Sequence, residues 1–221
     1  DANDYGILCV FHGCTLPRGW ERMYPNYASS EAVLASENLN FNQGACDNEA
    51  FNATIHPFIR NTVGSMDFGG SALNKYYNSR NAPRGSQRRT SDVFALATAV
   101  MFQSPVQHFA LAPNNLTDAP KLCLDFVKDV PTTWDETRYI AGFPGENVVI
   151  ARRNGDKWYV AAVNAVDAPY EFKVKDILEA LNVEDASVRL INGGNEPEET
   201  VVKASKKISV DKNDAAILVI G

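Results

Sequence analysis

Gly6 to Phe11 (GILCVF) is apolar without interruption over the length of a strand, the pattern of a strand buried on both faces as in a parallel sheet. It stops at His12-Gly13, and Pro17, Gly19 and Pro25 break the next stretch into loop. Ser29 or Ser30 is placed to cap a short helix through Ala35, with Glu31 favourably near its start. Residues 38–52, with five asparagines and Gly44, read as an irregular excursion. Thr54 to Arg60 and Val63 to Phe68 read as ordered elements. Ser91 caps a helix predicted over Asp92 to Gln103, apolar at Val93, Phe94, Leu96, Ala97, Val100 and Met101. Val106 to Ala112 is a second candidate buried strand, and Lys121 to Val130 an amphipathic helix stopped by Pro131. Strand, loop and helix alternate, which is an α/β pattern.

The pattern changes after Pro131. Asn147 to Arg153 and Lys157 to Asn164 flank Asn154-Gly155, a hairpin signal because both central residues of a type I′ turn need positive φ. Strand-like runs follow at Tyr170 to Val174, Ser187 to Ile191, Lys207 to Val210 and Ala215 to Ile220, with a turn or helix over Lys175 to Leu181. Short strands with frequent turns predict an antiparallel β-sandwich. The division falls within Thr132 to Glu136, giving an α/β part at 1–131 and an all-β part at 132–221.

Composition agrees with a folded core: 45% of the 221 residues are hydrophobic and 10% aromatic. A net charge of -6 disfavours nucleic acid and anionic membrane surfaces as partners. The basic stretch Arg80 to Arg89 runs against that balance, and its Gly, Pro, Ser and Asn content reads as a solvated loop. Cys9, Cys14, Cys46 and Cys123 have no metal-finger spacing and leave the redox compartment open. No apolar run approaches the roughly 20 residues of a membrane span. The chain begins on a core strand with no leader in view, which reads as a piece of something longer.

The candidate chemistry gathers between Phe11 and Glu37, where Glu21, Glu31 and Glu37 lie among Trp20, Arg22, Tyr24 and Tyr27. Carboxylates beside aromatic platforms suit sugar handling. A converging glutamate pair would serve glycoside hydrolysis or a hard cation such as calcium. On one uninterrupted helix Glu31 and Glu37 would project about 120° apart, so they converge only if the chain turns between them. His12 stands where α/β folds place site residues, although a structural role fits as well. His56 reads as a core histidine as readily as a ligand, and His108, inside an apolar run, reads as core packing. Zinc spacing, a phosphate loop and a GxSxG elbow are all missing from the sequence.

FHGCTLPRGWERMYPNYASSEAVLASE, IHPFIRNTVGSMDF and DVPTTWDETRYIAGFPGENVVIARRNGDKWYVAAVN together resemble the C-terminal portion of family 97 of the glycoside hydrolases, which holds α-glucosidases and α-galactosidases. The resemblance implies a partial (β/α)8 TIM barrel, its second half, at 1–131, and a C-terminal antiparallel β-sandwich domain at 132–221. It assigns Glu37 as acid/base and Glu31 as a calcium ligand, with Glu37 also near the ion. His12 becomes a substrate-pocket residue, and Trp20 and Arg22 pocket candidates. Inverting α-glucosidases of the family carry a glutamate after that histidine, and this chain has Gly13, as the retaining α-galactosidase branch does. The nucleophile of that branch is an aspartate on an earlier barrel strand, outside this chain, and Asp1 and Asp4 are poor substitutes. The expectation is a retaining, calcium-assisted α-galactosidase acting on an oligosaccharide with a terminal α-linked sugar, periplasmic or secreted. The isolated piece should be inactive and prone to dimerise through the opened barrel. An inverting α-glucosidase and a noncatalytic carbohydrate-binding or structural piece are the alternatives.

Overall fold

The computed structural model describes residues 1–76 and 85–221. Its first part places β1 (Cys9–Phe11), the one-turn helix α1 (Trp20–Met23) and β2 (Tyr27–Ser30), then α2 (Gln43–Asp47) and α3 (Glu49–Ile59). β1 and β2 are parallel, with Phe11 opposite Ser30, and Ser30 bridges Met66 in the same parallel sense. Three chain segments therefore run side by side in one direction, with helices in the connections. Parallel neighbours need such crossovers, because a tight turn cannot return the chain to the same end.

The helix α4 (Asp92–Met101) follows, then α5 (Asn115–Asp118) and α6 (Lys121–Asp129). Ser91 is the N-cap of α4, its Oγ accepting from Phe94 N at 3.0 Å, and every residue of the helix is buried. The antiparallel part contains β3 (Glu136–Phe143), β4 (Asn147–Asn154), β5 (Lys157–Asn164), β6 (Tyr170–Lys173), α7 (Val174–Leu181), β7 (Val188–Asn192), β8 (Glu198–Val202), β9 (Lys207–Val210) and β10 (Asp214–Ile220). Six of these strands form one sheet in the order β3-β4-β5-β10-β7-β8, and β6 pairs with β9 separately.

Alternation along the strands divides the sheet between two cores. Val148, Ile150, Ala161, Val163, Ile217 and Val219 face the helices α4 and α6. Val149, Ala151, Val160, Ala162, Leu218 and Ile220 face β6, β9 and α7. Both faces of β10 are covered, which is why its sequence is continuously apolar rather than alternating. The layer opposite α4 is a two-stranded pair plus the amphipathic α7, which seats Val174, Ile177 and Leu181, rather than a second full sheet. Helix α4 thus joins the two parts of the chain. The buried guanidinium of Arg152 on β4 donates to Val100 O at 2.6 Å and Met101 O at 2.9 Å, satisfying carbonyls at the C-terminal end of α4 where the helix dipole favours a cation.

Several sequence expectations are corrected. Ser29 and Ser30 end a strand instead of capping a helix, because their backbones pair beside β1. The run from Gly6 is strand only from Cys9, and Ile7 and Leu8 stand exposed, since among the described residues β1 pairs on one side alone. The asparagine-rich stretch is ordered: Asn42 caps α2 by accepting from Ala45 N at 2.9 Å. Val106 to Ala112 forms no strand and joins no sheet among the described residues. In the β4–β5 hairpin Asn154 pairs with Lys157, so the two-residue turn is Gly155-Asp156. Only Gly155 of the two has positive φ, which matches a type II′ pattern rather than type I′. Part of the basic stretch at 80–89 lies outside the described residues. Of the remainder, Arg88 is buried, pairing with Asp92 and donating to Ser91 O at 2.9 Å, which a solvated loop would not do.

Candidate active site

The three parallel segments end on polar residues in register. His12 follows Phe11, Glu31 follows Ser30 and Asp67 follows Met66, so the parallel pairing of the preceding residues brings the three side chains to one end. Ligand sites in α/β folds form at the carboxyl ends of parallel strands for this reason. His12 Nδ1 lies 3.3 Å from Glu31 Oε2 and 3.7 Å from Asp67 Oδ2, and its Nε2 lies 3.1 Å from Glu37 Oε2. Both ring nitrogens face carboxylate oxygens, which accept and cannot donate. Burial opposes a charged ring, yet Glu31, Glu37 and Asp67 together outweigh it and raise the His12 pKa above its ordinary value.

Glu31 is buried and held from both ends. Its Oε2 accepts from Gly13 N at 2.6 Å, and its own N–H donates to Phe11 O at 2.8 Å. Gly13 has φ +57, a region that disfavours side-chain-bearing residues and here turns the backbone N–H onto the carboxylate. Glu37 arrives by a different route. The chain leaves β2, passes Ala32 at φ +43 and enters a 3₁₀ turn over Ser36–Asn40, whose first turn carries Glu37. The turn that lets two glutamates six residues apart converge is therefore present.

Behind the site, Arg60 at the C-terminal end of α3 is buried and makes five hydrogen bonds. Nε donates to Glu31 O at 3.1 Å, one terminal nitrogen to Gly64 O at 3.1 Å, and the other to Ser30 O, Ser30 Oγ and Ser65 O at 2.7, 3.1 and 3.0 Å. It ties the backbone just before Asp67 to the backbone at Glu31. In front, His12, Glu37, Asp67 and His108 line an open cavity of about 490 Å³, with Phe68, Phe109 and Leu111 among its apolar wall.

The sequence singled out His12, Glu31 and Glu37, which meet here. Trp20 and Arg22 sit on α1 and do not line this cavity. Trp20 belongs to a separate groove with Phe11, Tyr24 and Tyr27, and Arg22 follows it on the same turn. Asp67 and His108 were not picked out as site residues. Asp67 was legible as the polar residue closing an apolar stretch, in the way His12 closes the first. His108 is corrected outright: its side chain is 59% exposed and faces Asp67, while its neighbours Phe109 and Leu111 are the ones that pack against the core. His56 is buried with Nε2 3.3 Å from Leu34 O, and burial pushes its pKa down to about 4. It belongs to the core.

His12, Glu31 and Glu37 each offer one ligand atom within 4.8 Å of the others. The two carboxylates fit a hard divalent cation, which takes six to eight oxygens, so further donors would have to join them.

An acidic cluster at the ends of parallel strands, facing an open cavity with an aromatic wall, defines the class: a site of the kind α/β enzymes use for polar small molecules. Residues 133–217 match the family described as "Glycosyl-hydrolase 97 C-terminal, oligomerisation". Over 159 residues the chain is 34% identical to a "Probable retaining alpha-galactosidase" of Streptomyces bingchenggensis, an alignment covering 72% of this chain and 22% of that protein. A crystal structure of a beta-arabinopyranosidase superposes with a TM-score of 0.89 at 54% identity, covering 99% of this chain and 35% of that one. A glycoside hydrolase family 97 enzyme of Pseudoalteromonas sp. strain K8 in complex with panose superposes with a TM-score of 0.76 at 21% identity, covering 99% and 35%. The chain belongs to glycoside hydrolase family 97, as a C-terminal portion. It spans about a fifth of the curated relative and about a third of the solved structures.

Proposed function

We propose that this chain supplies the acid/base half of the active site of a retaining exo-glycosidase that removes a terminal α-galactosyl unit from an oligosaccharide. The observation that carries the reading is the convergence of Glu37, Glu31 and His12, with Glu37 and His12 lining the cavity and Glu31 buried behind them, in a chain of this family. Glu37, partly exposed at the cavity rim, donates a proton to the glycosidic oxygen and later takes one from water. The nucleophile comes from outside this chain, as the Gly13 position of the retaining branch implies. In retaining enzymes the two carboxyls stand about 5–5.5 Å apart. Glu31 and Glu37 hold calcium, which when bound supplies positive charge to polarise sugar oxygens. His12 orients Glu37 by the contact at Nε2. Trp20 is assigned to the outer groove beside α1, with Arg22 on the same helix.

The parallel row of β1, β2 and the Met66 segment supports reading residues 1–131 as half of a (β/α)8 barrel, with 132–221 as the C-terminal β domain. The whole enzyme acts in the periplasm or outside the cell in this reading. Copies of the isolated chain dimerise through the opened barrel in this reading, and a monodisperse 24.3 kDa monomer by light scattering would count against that.

A second reading is favoured by the beta-arabinopyranosidase at 54% identity. β-L-Arabinopyranosides and α-D-galactopyranosides share ring configuration and differ by one hydroxymethyl group, so the same acid/base arrangement serves both. The test is hydrolysis by the full-length enzyme of p-nitrophenyl α-galactoside, α-glucoside and β-L-arabinopyranoside, with and without chelator. NMR should show the first-formed sugar with retained anomeric configuration, and inversion would remove the retaining assignment. Glu37→Gln should lower turnover of substrates with poor leaving groups by about 10²–10⁴. Unchanged turnover would remove the acid role.

A further inference from the structure

His108 and Asp67 take no part in the proton transfers above, yet both face the cavity. Asp67 is nearly buried, its side chain 11% exposed, and it stands between two imidazoles, with His12 Nδ1 on one side and His108 Nδ1 on the other at 3.3 Å. An ionised carboxylate only accepts, so the contact to His108 requires the ring proton on Nδ1. That fixes the tautomer and leaves Nε2 as the ring's remaining polar atom, on a side chain 59% exposed.

The scaffold beneath is tied at several points. Met66 N donates to Gln103 O at 2.9 Å, Ala110 N donates to Gly70 O at 2.9 Å, and Asp67 N donates to Ser30 O at 2.9 Å. Ser36 Oγ also donates to Gly69 O, an approach that a side chain at Gly69 would block, since its Cβ would lie 2.9 Å from that oxygen. Two otherwise irregular segments are thereby pinned to each other and to β2. A histidine held this firmly, yet more than half exposed toward a cavity, is built for contact with a ligand rather than for packing.

We propose that His108 is a specificity-determining contact to a hydroxyl group of the sugar bound in the cavity, and that Asp67 is the positioning residue that fixes its ring. The inference rests on the glycosidase reading and deepens it. His108 Nε2 accepts a hydrogen bond from the hydroxyl, and no covalent step is involved.

The test uses the full-length enzyme and a set of p-nitrophenyl glycosides, each lacking one ring hydroxyl. His108→Ala should raise KM about tenfold on the fully hydroxylated substrate, the loss of one hydrogen bond, with kcat changing less. On the one deoxy substrate missing the contacted hydroxyl the two enzymes should agree within about twofold. His108→Gln, which can still accept near the same place, should fall between. Asp67→Asn should give the same dependence on that hydroxyl, and ¹⁵N spectra of the His108 ring should show loss of the Nδ1–H tautomer, a change that a merely structural role would not produce. Equal penalties on every deoxy substrate, or unchanged kinetics in His108→Ala, would overturn the proposal. A wild type that hydrolyses none of the glycosides sinks the glycosidase reading instead. Saturation-transfer NMR with D-galactose and L-arabinose then decides the contact: weaker binding by His108→Ala than by wild type supports it, and equal binding or none overturns it.

Discussion

Arg60→Met removes the guanidinium behind the site while keeping most of the side chain's volume, and its effect can be sized from the five hydrogen bonds. Hydrogen bonds from a charged donor contribute roughly 1.5–3 kcal/mol each in isolation, but they are not additive here. Three of the five share one nitrogen, and burying the guanidinium is itself costly, as its lowered pKa reflects. What remains is dominated by the carbonyls of Ser30 and Glu31, left buried without this donor. Leaving a buried carbonyl without its donor costs about 1–3 kcal/mol, and a total of about 3 kcal/mol follows because Ser30 O keeps the bond from Asp67 N while Gly64 and Ser65 are less buried and can turn to water. For a chain of this length about 3 kcal/mol corresponds to a fall in Tm of about 6–12 °C. Arg60→Lys keeps a charge but lacks the planar fork, so it should lose about half as much. Differential scanning calorimetry of wild type and both variants measures the effect. A fall under about 2 °C for Arg60→Met, or a lysine variant matching wild type, would show that the brace does not hold these backbones.

His56 gives a pH dependence with a definite sign. Its folded pKa is depressed to about 4 from 6.5, so between those values the unfolded chain binds the extra proton. Stability is fully present above pH 6.5 and declines as pH falls to about 4, by up to about 3 kcal/mol from this residue. Urea titrations across that window should show a shallower slope in His56→Gln, and an unchanged slope would assign the effect elsewhere. Burial pushes the Cys123 thiol up to about 12 and the Cys46 thiol up to about 11. Ellman's reagent at pH 8 should therefore spare both in the folded chain, leaving Cys9 and Cys14, whereas denaturant should release all four; rapid labelling of four in the native chain would refute this. Gly142→Ala would drive a Cβ into the backbone at Asn147 O, at φ +119, beside the irregular register of β3 against β4. A loss of at least about 2 kcal/mol in chemical unfolding is expected, and a neutral variant would mean the β3–β4 register shifts freely.

Much of the antiparallel part was legible because its signals are local. Alternation, apolar runs and Gly155 place β4, β5 and β10 without reference to anything distant, and Ser91 marks the start of α4 by its own chemistry. The edge strand β8 escaped notice because Glu198 to Val202 is almost wholly exposed and carries no apolar alternation. The order of strands was not legible either. β10, last in the chain, inserts between β5 and β7, a pairing set by which faces can be buried together.

The site divides in the same way. By itself the sequence determined which acids and which histidine were available, and the resemblance of its motifs pointed to His12, Glu31 and Glu37. Only the tertiary structure decided that these side chains meet. Phe11, Ser30 and Met66 stand in parallel register, so the residues that follow them share one end, and this brought in Asp67, 36 residues beyond Glu31. It also turned His108 from an apparent core residue into a cavity-facing one. Such convergence depends on pairing and turns between segments distant in sequence, and no local pattern of hydrophobic and polar positions encodes it.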